Sequence, residues 1–547
     1  MTSRVKNILF IMCDQLRFDY LSCAGHPTLK TPNIDALAAR GVRFSNAFVQ
    51  SPVCGSSRMS FYTGRYVQSH GAAWNGFPLK VGEMTMGDYL RPLGLQTVLV
   101  GKTHMKADAE GMQRLGIDPQ SIIGVRVSEC GFDPYERDDG LHAVGPDGRY
   151  SPLMPRYNQY LNDKGYGGDN PWHDYANAAQ GDDNELASGW AMRHARKPAR
   201  VAEEDSETPY MTRRAIDFMT EAADTPWCLH LSYIKPHWPY IAPAPYNAMY
   251  GEADVIPVVR SEEERADPHP VYREFMAHRV GQAFARDEVR EEVIPVYMGL
   301  IKQIDDQMGV LFAFMRERGL LDNTLIVFTS DHGDYLGDHW LGEKDLFHEP
   351  SVKVPMIICD PSPEADAARG SVCDALVESI DLLPTFVDAA GGDAADLSHR
   401  LEGRSLTQWL HGKTPEQWRR YAISEYDYSM LPASGKLGVA PNDARLFMVR
   451  DQRWKYVHAV GYRPMLYDLQ SDPNEFRDLG ADAAHEGERQ RLAAALAQWG
   501  LRQSQRTTRS EKEILGMRGQ SLRKGILIGV WDESDLPDEL WSRYRGE

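Results

Sequence analysis

Ile8-Leu9-Phe10-Ile11-Met12-Cys13 runs straight into Asp14-Gln15, and this meeting of an apolar strand with a polar end decides the fold. The pattern recurs three times. Thr97-Val98-Leu99-Val100 leads into Gly101-Lys102-Thr103-His104, and Trp227-Cys228-Leu229-His230-Leu231-Ser232-Tyr233-Ile234 into Lys235-Pro236-His237. Thr324-Leu325-Ile326-Val327-Phe328-Thr329-Ser330 leads into Asp331-His332-Gly333-Asp334. Near-continuous apolar runs suit strands covered on both faces, as in a parallel sheet. Helical patterns lie between them, at Asn33 to Arg40 behind Pro32, Met211 to Ala222, and Met298 to Arg318. The alternation predicts an α/β fold around a mostly parallel sheet. Ligands bind such sheets beyond the carboxyl ends of the strands, so the four polar ends are expected to meet in space.

Away from these runs the composition changes twice. From about 105 to 207 the chain is rich in Gly, Asp, Asn, Pro and Tyr with little periodicity, which reads as a long ordered insertion beside the site. The second change falls near His411-Gly412-Lys413. Beyond it, Leu446 to Tyr456 and Met465 to Leu469 read as antiparallel strands, followed by a helix from Glu486 to Trp499. Residues 1–412 are therefore expected to form the larger domain, and 413–547 a smaller α+β domain with an antiparallel sheet. From about Thr507 a tail follows, with Ile526-Leu527-Ile528-Gly529-Val530-Trp531 read as an apolar strand that packs at home or on a second copy.

The 547 residues carry a formal net charge of -18, with 42% apolar and 25% charged residues. This balance excludes disorder and low complexity as the main state, and disfavours nucleic acid or an anionic membrane as partner. No stretch approaches the roughly 18 apolar residues of a membrane span. The first apolar stretch, Ile8 to Met12, is shorter than a secretory h-region. Seven widely spaced cysteines without a CxxC suit a reducing compartment, so a cytoplasmic location is expected. Cys13, Cys228 and Cys359 lie in apolar runs and read as core filler.

Asp14 with Gln15, and Asp331 with His332, are each ordinary turn or cap residues when taken singly. Together they offer two carboxylates, an amide oxygen and an imidazole, a set that suits Ca²⁺, Mg²⁺ or Mn²⁺, with the imidazole adding weight to Mn²⁺ or Zn²⁺. Cys54 opens Cys54-Gly55-Ser56-Ser57-Arg58-Met59-Ser60-Phe61-Tyr62-Thr63-Gly64-Arg65. Ser56 or Ser57 is expected to cap a helix ending at Gly64, which places Cys54 where a helix dipole favours an anion or a thiolate. A buried structural cysteine is the alternative. Lys102, His104, Lys235 and His237 stand at strand ends, where solvated lysines and satisfied histidines are the plain reading. Lys344 sits in a loop with Gly337 and Gly342 that can fold over the site. Asn75, between Trp74 and Gly76, is either a turn residue or a donor to an anionic oxygen.

These residues jointly resemble the sulfatase family. Cys54 to Arg65 is similar to the signature Cys-x-Pro/Ala-Ser-Arg followed by Thr-Gly-Arg, with Ser56 standing where Pro or Ala is usual. The likeness takes in Asp14, Gly101 to His104, Lys235 to His237, Ser330 to Gly333, Lys344, Val354-Pro355, Leu466 to Leu469 and Asp472 to Glu475, nearly the whole chain. It implies an alkaline-phosphatase-like α/β/α sandwich, in the branch of the phosphonate monoester hydrolases and their sulfatase relatives. It further implies that a formylglycine-generating enzyme or its equivalent converts Cys54 to formylglycine, whose hydrate attacks sulfur or phosphorus. Asp14, Gln15, Asp331, His332 and the modified Cys54 would hold one divalent ion, expected to be Ca²⁺ or Mn²⁺. Arg58 would hold the diol. Lys102 and Lys344, with Asn75, would bind the non-bridging oxygens. His237 would protonate the leaving oxygen, and His104 would assist breakdown.

In the phosphonate monoester branch Tyr-x-Thr replaces Lys-x-His, so Lys102-Thr103-His104 points to a sulfate ester, aryl sulfates first. Phosphonate monoesters and phosphodiesters carry the same single charge and are expected as side substrates or as the main alternative. A metal- and anion-binding protein with unmodified Cys54 is the reading of another class. A homo-oligomer, dimer or tetramer, is expected from the late apolar run and from the family. Intact mass checks the modification: conversion of Cys54 to formylglycine lowers the chain's mass by about 18 Da, and an unshifted mass leaves a plain thiol.

Overall fold

The computed structural model describes residues 5–139, 156–168, 170–182 and 185–545. The strands are β1 (Asn7–Asp14), β2 (Val42–Phe48), β3 (Gln96–Gly101), β4 (Asp133–Arg137), β5 (Ala178–Gln180), β6 (Leu186–Ser188) and β7 (Trp227–Pro236). After them come β8 (Thr324–Ser330), β9 (Lys353–Cys359), β10 (Ser371–Glu378), β11 (Ala422–Asp427), β12 (Arg445–Arg450), β13 (Trp454–Ala459) and β14 (Met465–Asp468). The helices used below are α1 (Pro32–Arg40), α2 (Cys54–Thr63), α3 (Glu207–Ala222), α4 (Asp287–Glu317), α5 (Leu382–Ala389) and α6 (Glu486–Gly500).

The large sheet has eight strands in the order β10-β2-β9-β8-β1-β7-β3-β4. The four apolar runs are the adjacent strands β8, β1, β7 and β3, all parallel to their neighbours in this group. Their polar ends therefore meet at one edge, as the pattern requires. Only β9 runs against its neighbours β8 and β2. Successive residues of β1 point to opposite faces: Ile8, Phe10 and Met12 enter one core, Leu9, Ile11 and Cys13 the other. The second core is closed by α1, α3 and α4, and the first by α2 and α5. This is the expected α/β/α sandwich. Cys13, Cys228 and Cys359 are buried in these cores, and the seven cysteines are unpaired.

The smaller sheet, β11-β12-β13-β14, is antiparallel. One face, with Ala422, Met448 and Val457, joins the core that holds α2. The other, with Ile423, Val449 and Leu466, is covered by Leu492 of α6. The first predicted strand, 446–456, divides into β12 and β13 across a turn at 451–453. β11 was not predicted, because Ser424, Glu425 and Asp427 interrupt its apolar pattern.

Three further expectations need correction. α3 and α4 begin earlier than predicted, at Glu207 and Asp287, and α4 runs through Pro295. Proline, which lacks the backbone donor a helix interior uses, is here accommodated inside a buried helix. The insertion is not irregular throughout, since β4 extends the large sheet beside β3; residues 140–155, 169 and 183–184 of it lie outside the described residues. The run 526–531 is no strand, and Ile528 and Trp531 are 90% and 95% exposed. Among the described residues no helix is long and apolar enough to cross a membrane.

Gly101 ends β3 at φ 112°, and a Cβ there would lie 2.0 Å from the Ser232 carbonyl oxygen. Gly101→Ala is expected to destabilise the chain by about 1–3 kcal/mol and to displace Lys102. A melting temperature equal to that of the unchanged protein would contradict this account.

Candidate active site

α2 begins at Cys54, directly after extended Val53, and ends at left-handed Gly64. Its cap differs from the prediction. Ser57 donates to the Asp331 carbonyl at 2.5 Å and Ser56 to that of Ala73 at 3.1 Å. The first-turn amide of Gly55 instead donates to Oδ1 of Asn75 at 2.8 Å. Asn75 thus caps α2 from outside and lines the adjoining cavity; its oxygen is spent on the helix.

Arg58, one turn along α2, is fully buried. Its Nε donates to Asp331 at 2.8 Å and Nη2 to Asp14 at 3.1 Å. Nη1 donates to the Lys102 carbonyl at 2.8 Å and to the Ser232 hydroxyl at 2.7 Å. The guanidinium therefore fixes the two carboxylates and does not reach for Cys54. Lys102 Nζ lies 2.6 Å from Asp14. Lys344 Nζ and His332 Nε2 each lie 3.0 Å from the Cys54 sulfur. His237 Nε2 is 3.9 Å from Asp14.

Three cations, Arg58, Lys102 and Lys344, thus face two carboxylates, Asp14 and Asp331; Arg58 and both carboxylates are fully buried. Burial opposes ionisation of Asp14, but Lys102, with Arg58 adding to it, holds its carboxyl well below the usual range. Burial likewise opposes charge on Lys102 and Lys344, yet Asp14 raises the first, and Cys54 and Glu343 raise the second. His104 and His237 are held well below the usual imidazole value, first by burial, with Lys102 and Lys344 adding to it. Both rings are neutral at pH 7. Nδ1 of His237 donates to the Trp238 carbonyl at 2.7 Å, whereas Nδ1 of His104 is buried without a partner.

Ligand atoms of Asp14, Cys54, Asp331 and His332 lie within 4.8 Å of one another, all buried. Nδ1 of His332 donates to the Gly333 carbonyl at 2.8 Å, which leaves Nε2 as the ligating nitrogen. Gln15 supplies the sharpest test. Its Nε2 donates to Tyr240 and to Asp334, and burial keeps the latter's carboxyl up at about 6. The other end of the amide, Oε1, is buried and has no hydrogen bond, a costly state unless a cation takes it. The oxygen-rich donor set fits a hard divalent ion.

A second cluster, Glu264, His339 and His348, does not fit one. The imidazoles stack 3.8 Å apart with planes 8° from parallel, so their lone pairs cannot converge on one ion.

A cavity of about 400 Å³ opens against Lys102, His104, His237 and Lys344. Its outer wall includes Trp74, Trp238, Phe275, Leu431 and Lys436. The C-terminal part of the chain contributes to it, as expected. The described residues of the insertion line instead a neighbouring hollow of about 620 Å³, through Trp190 and Met192. Sequence reading missed Ser232, Asp334, Tyr240 and Glu343. Only Asp334 carried a signal, by its place in Asp331-His332-Gly333-Asp334.

The fold and this edge define a hydrolase built on an alkaline-phosphatase-like sandwich, with a candidate site for a divalent ion. The chain belongs to the Sulfatase family, whose model matches residues 6–392; the N-sulphoglucosamine sulphohydrolase C-terminal model matches 337–502. It is 31% identical over 529 residues to the multifunctional alkaline phosphatase superfamily protein PehA of Trinickia caryophylli, covering 92% of this chain and 96% of that one. It is 27% identical to an arylsulfatase of Clostridium perfringens, covering 86% and 90%. The phosphonate monoester hydrolase of Agrobacterium radiobacter superposes with a TM-score of 0.78 at 29% identity, covering 93% of this chain and 99% of that one.

Gln15→Leu keeps the side chain's bulk and removes the oxygen. It is expected to weaken divalent-ion binding by about 10–100-fold, read as metal content after dialysis. Unchanged content would remove Gln15 from the ligand set.

Proposed function

We propose that the protein hydrolyses sulfate monoesters, aryl sulfates among them, and cleaves phosphonate monoesters and phosphodiesters more slowly. The observation that carries this reading is that Lys102, His104, His237 and Lys344 line one cavity, and that Lys344 Nζ lies 3.0 Å from the buried sulfur of Cys54. In this reading Cys54 is converted to formylglycine, whose hydrate supplies the attacking hydroxyl. A divalent ion held by Asp14, Gln15, Asp331 and His332 would supply Lewis acidity at residue 54.

Lys344 and Lys102 bind the non-bridging oxygens of the ester and stabilise charge gathering there in the transition state. His237 delivers the proton to the departing alcohol oxygen. Its Nδ1 hydrogen is tied to Trp238, so the transferable proton sits on Nε2, and the incoming anionic ester favours it there. His104, neutral and with Nδ1 unpartnered, takes the proton from residue 54 as sulfate is released. Arg58 and Asn75 keep α2 and the carboxylates in register throughout. The formylglycine-generating partner, a cytoplasmic location and a homo-oligomer belong to the same reading. For the last, exposed Ile526, Ile528 and Trp531 offer a contact in the tail from about 507.

The likeness to PehA and to a phosphonate monoester hydrolase favours a second reading, with phosphonate monoesters or phosphodiesters as the main substrates. Paired nitrophenyl sulfate and nitrophenyl phenylphosphonate separate the two. The sulfate is expected to show the higher kcat/KM on protein with verified formylglycine, and a reversed ratio selects the second reading. Cys54→Ala is expected to abolish both activities; retained turnover would refute the covalent route.

A further inference from the structure

The ester chemistry above leaves Lys235 without a part, although it opens the Lys235-Pro236-His237 end of β7. Its ammonium is buried, the residue being 5% exposed. It makes two hydrogen bonds, to Oδ1 of Asn177 at 2.9 Å and to the carbonyl of Pro239 at 3.0 Å. Asn177 is itself immobilised, since its Nδ2 and its backbone amide both donate to the Trp172 carbonyl. Trp172 in turn donates through Nε1 to Glu207 at the start of α3, at 3.0 Å. Burial pulls Lys235 down to about 8 and the Glu207 charge opposes this.

The consequence lies in two successive carbonyls. That of Trp238 accepts the Nδ1 hydrogen of His237 at 2.7 Å, and the next, of Pro239, accepts from Lys235. One contact sets the tautomer and plane of the imidazole, and the other pins the peptide run that makes that contact. We propose that Lys235 is a positioning residue for His237, holding the ring so that Nε2 faces the departing oxygen, with Asn177 of the insertion as its anchor. The inference rests on the proposed acid role of His237.

A general acid matters most when the leaving alcohol is poor, so its misplacement steepens the dependence of rate on leaving-group pKa. A merely structural lysine would lower all substrates alike. The test uses full-length, formylglycine-verified protein and a series of aryl sulfates from 4-nitrophenyl to phenyl. If the second reading proves to be the main activity, the matching aryl phosphonates serve. Lys235→Met is expected to lower kcat/KM about 100-fold for the phenyl ester and less than about fivefold for the nitrophenyl ester. Asn177→Ser, a milder cut at the other end of the bridge, is expected to tilt the series in the same direction, and it carries the test if Lys235→Met does not fold. A uniform fall across the series, or none, overturns the proposal. His237→Ala run in parallel separates the two levels. If it leaves the slope unchanged, the acid role of His237 fails; if it steepens the slope while both other variants do not, only the assignment to Lys235 fails.

Discussion

A single guanidinium, that of Arg58, bonds to the ends of all four central strands. It reaches Asp14 on β1, Asp331 just past β8, the carbonyl of Lys102 just past β3, and Ser232 on β7. Arg58, Asp14 and Asp331 have no exposed side-chain surface. Taking three ions out of water costs several kcal/mol each, and a buried pair is tolerated only when its geometry is good and its remaining hydrogen bonds are met. Both conditions hold here. Asp331 also accepts the amides of Gln15 and His332 through Oδ1. The rest of the site depends on this arrangement, because α2 carries Cys54 and is held against the sheet edge through Arg58.

The arrangement also reconciles an acidic protein with an anionic ester. The net charge of -18 governs solubility and repels polyanions, but it is spread over the whole chain. At the sheet edge Arg58, Lys102 and Lys344 stand against Asp14, Asp331 and Glu343, and a divalent ion would add net positive charge. Burial first, with Lys102 and Lys344 adding to it, holds His104 and His237 well below the usual imidazole value. In the proposed reaction His104 would take a proton, and His237 would become an acid only once the substrate's charge is beside it. One electrostatic design would thus serve both anion binding and the timing of proton transfer in that reaction.

What the sequence made legible follows from where the free energy lies. β1, β3, β7 and β8 are buried on both faces, so their apolar runs announce them, and the residues ending them are the site. β11 was hidden because Ser424 and Glu425 face other segments: Ser424 donates to the Val49 carbonyl and Glu425 receives the Gln68 amide. Asn75 as the cap of α2, and Ser56 and Ser57 as donors to distant carbonyls, rest on contacts between segments far apart in the chain. The cavity's outer wall is the extreme case. Phe275 and Leu431 meet only through tertiary packing, and no local pattern marks them.

Cys54 itself is fully buried, between His332, Lys344 and the end of β1. That burial has a kinetic meaning for any chemistry performed on the thiol by another protein. An enzyme that must engage the α2 backbone around Cys54, unlike a small ester entering by the cavity, would have to lift α2 off the sheet, which breaks the Arg58 bonds to Asp14 and Asp331. Breaking a buried pair from one side is worth about 3–5 kcal/mol, and two such pairs meet at Arg58. The open form is therefore rare, and an enzyme acting on Cys54 is served far better by a chain whose α2 has not yet docked. In the proposed reading, the interaction that holds the finished site together would thus also favour conversion of residue 54 before the site is finished.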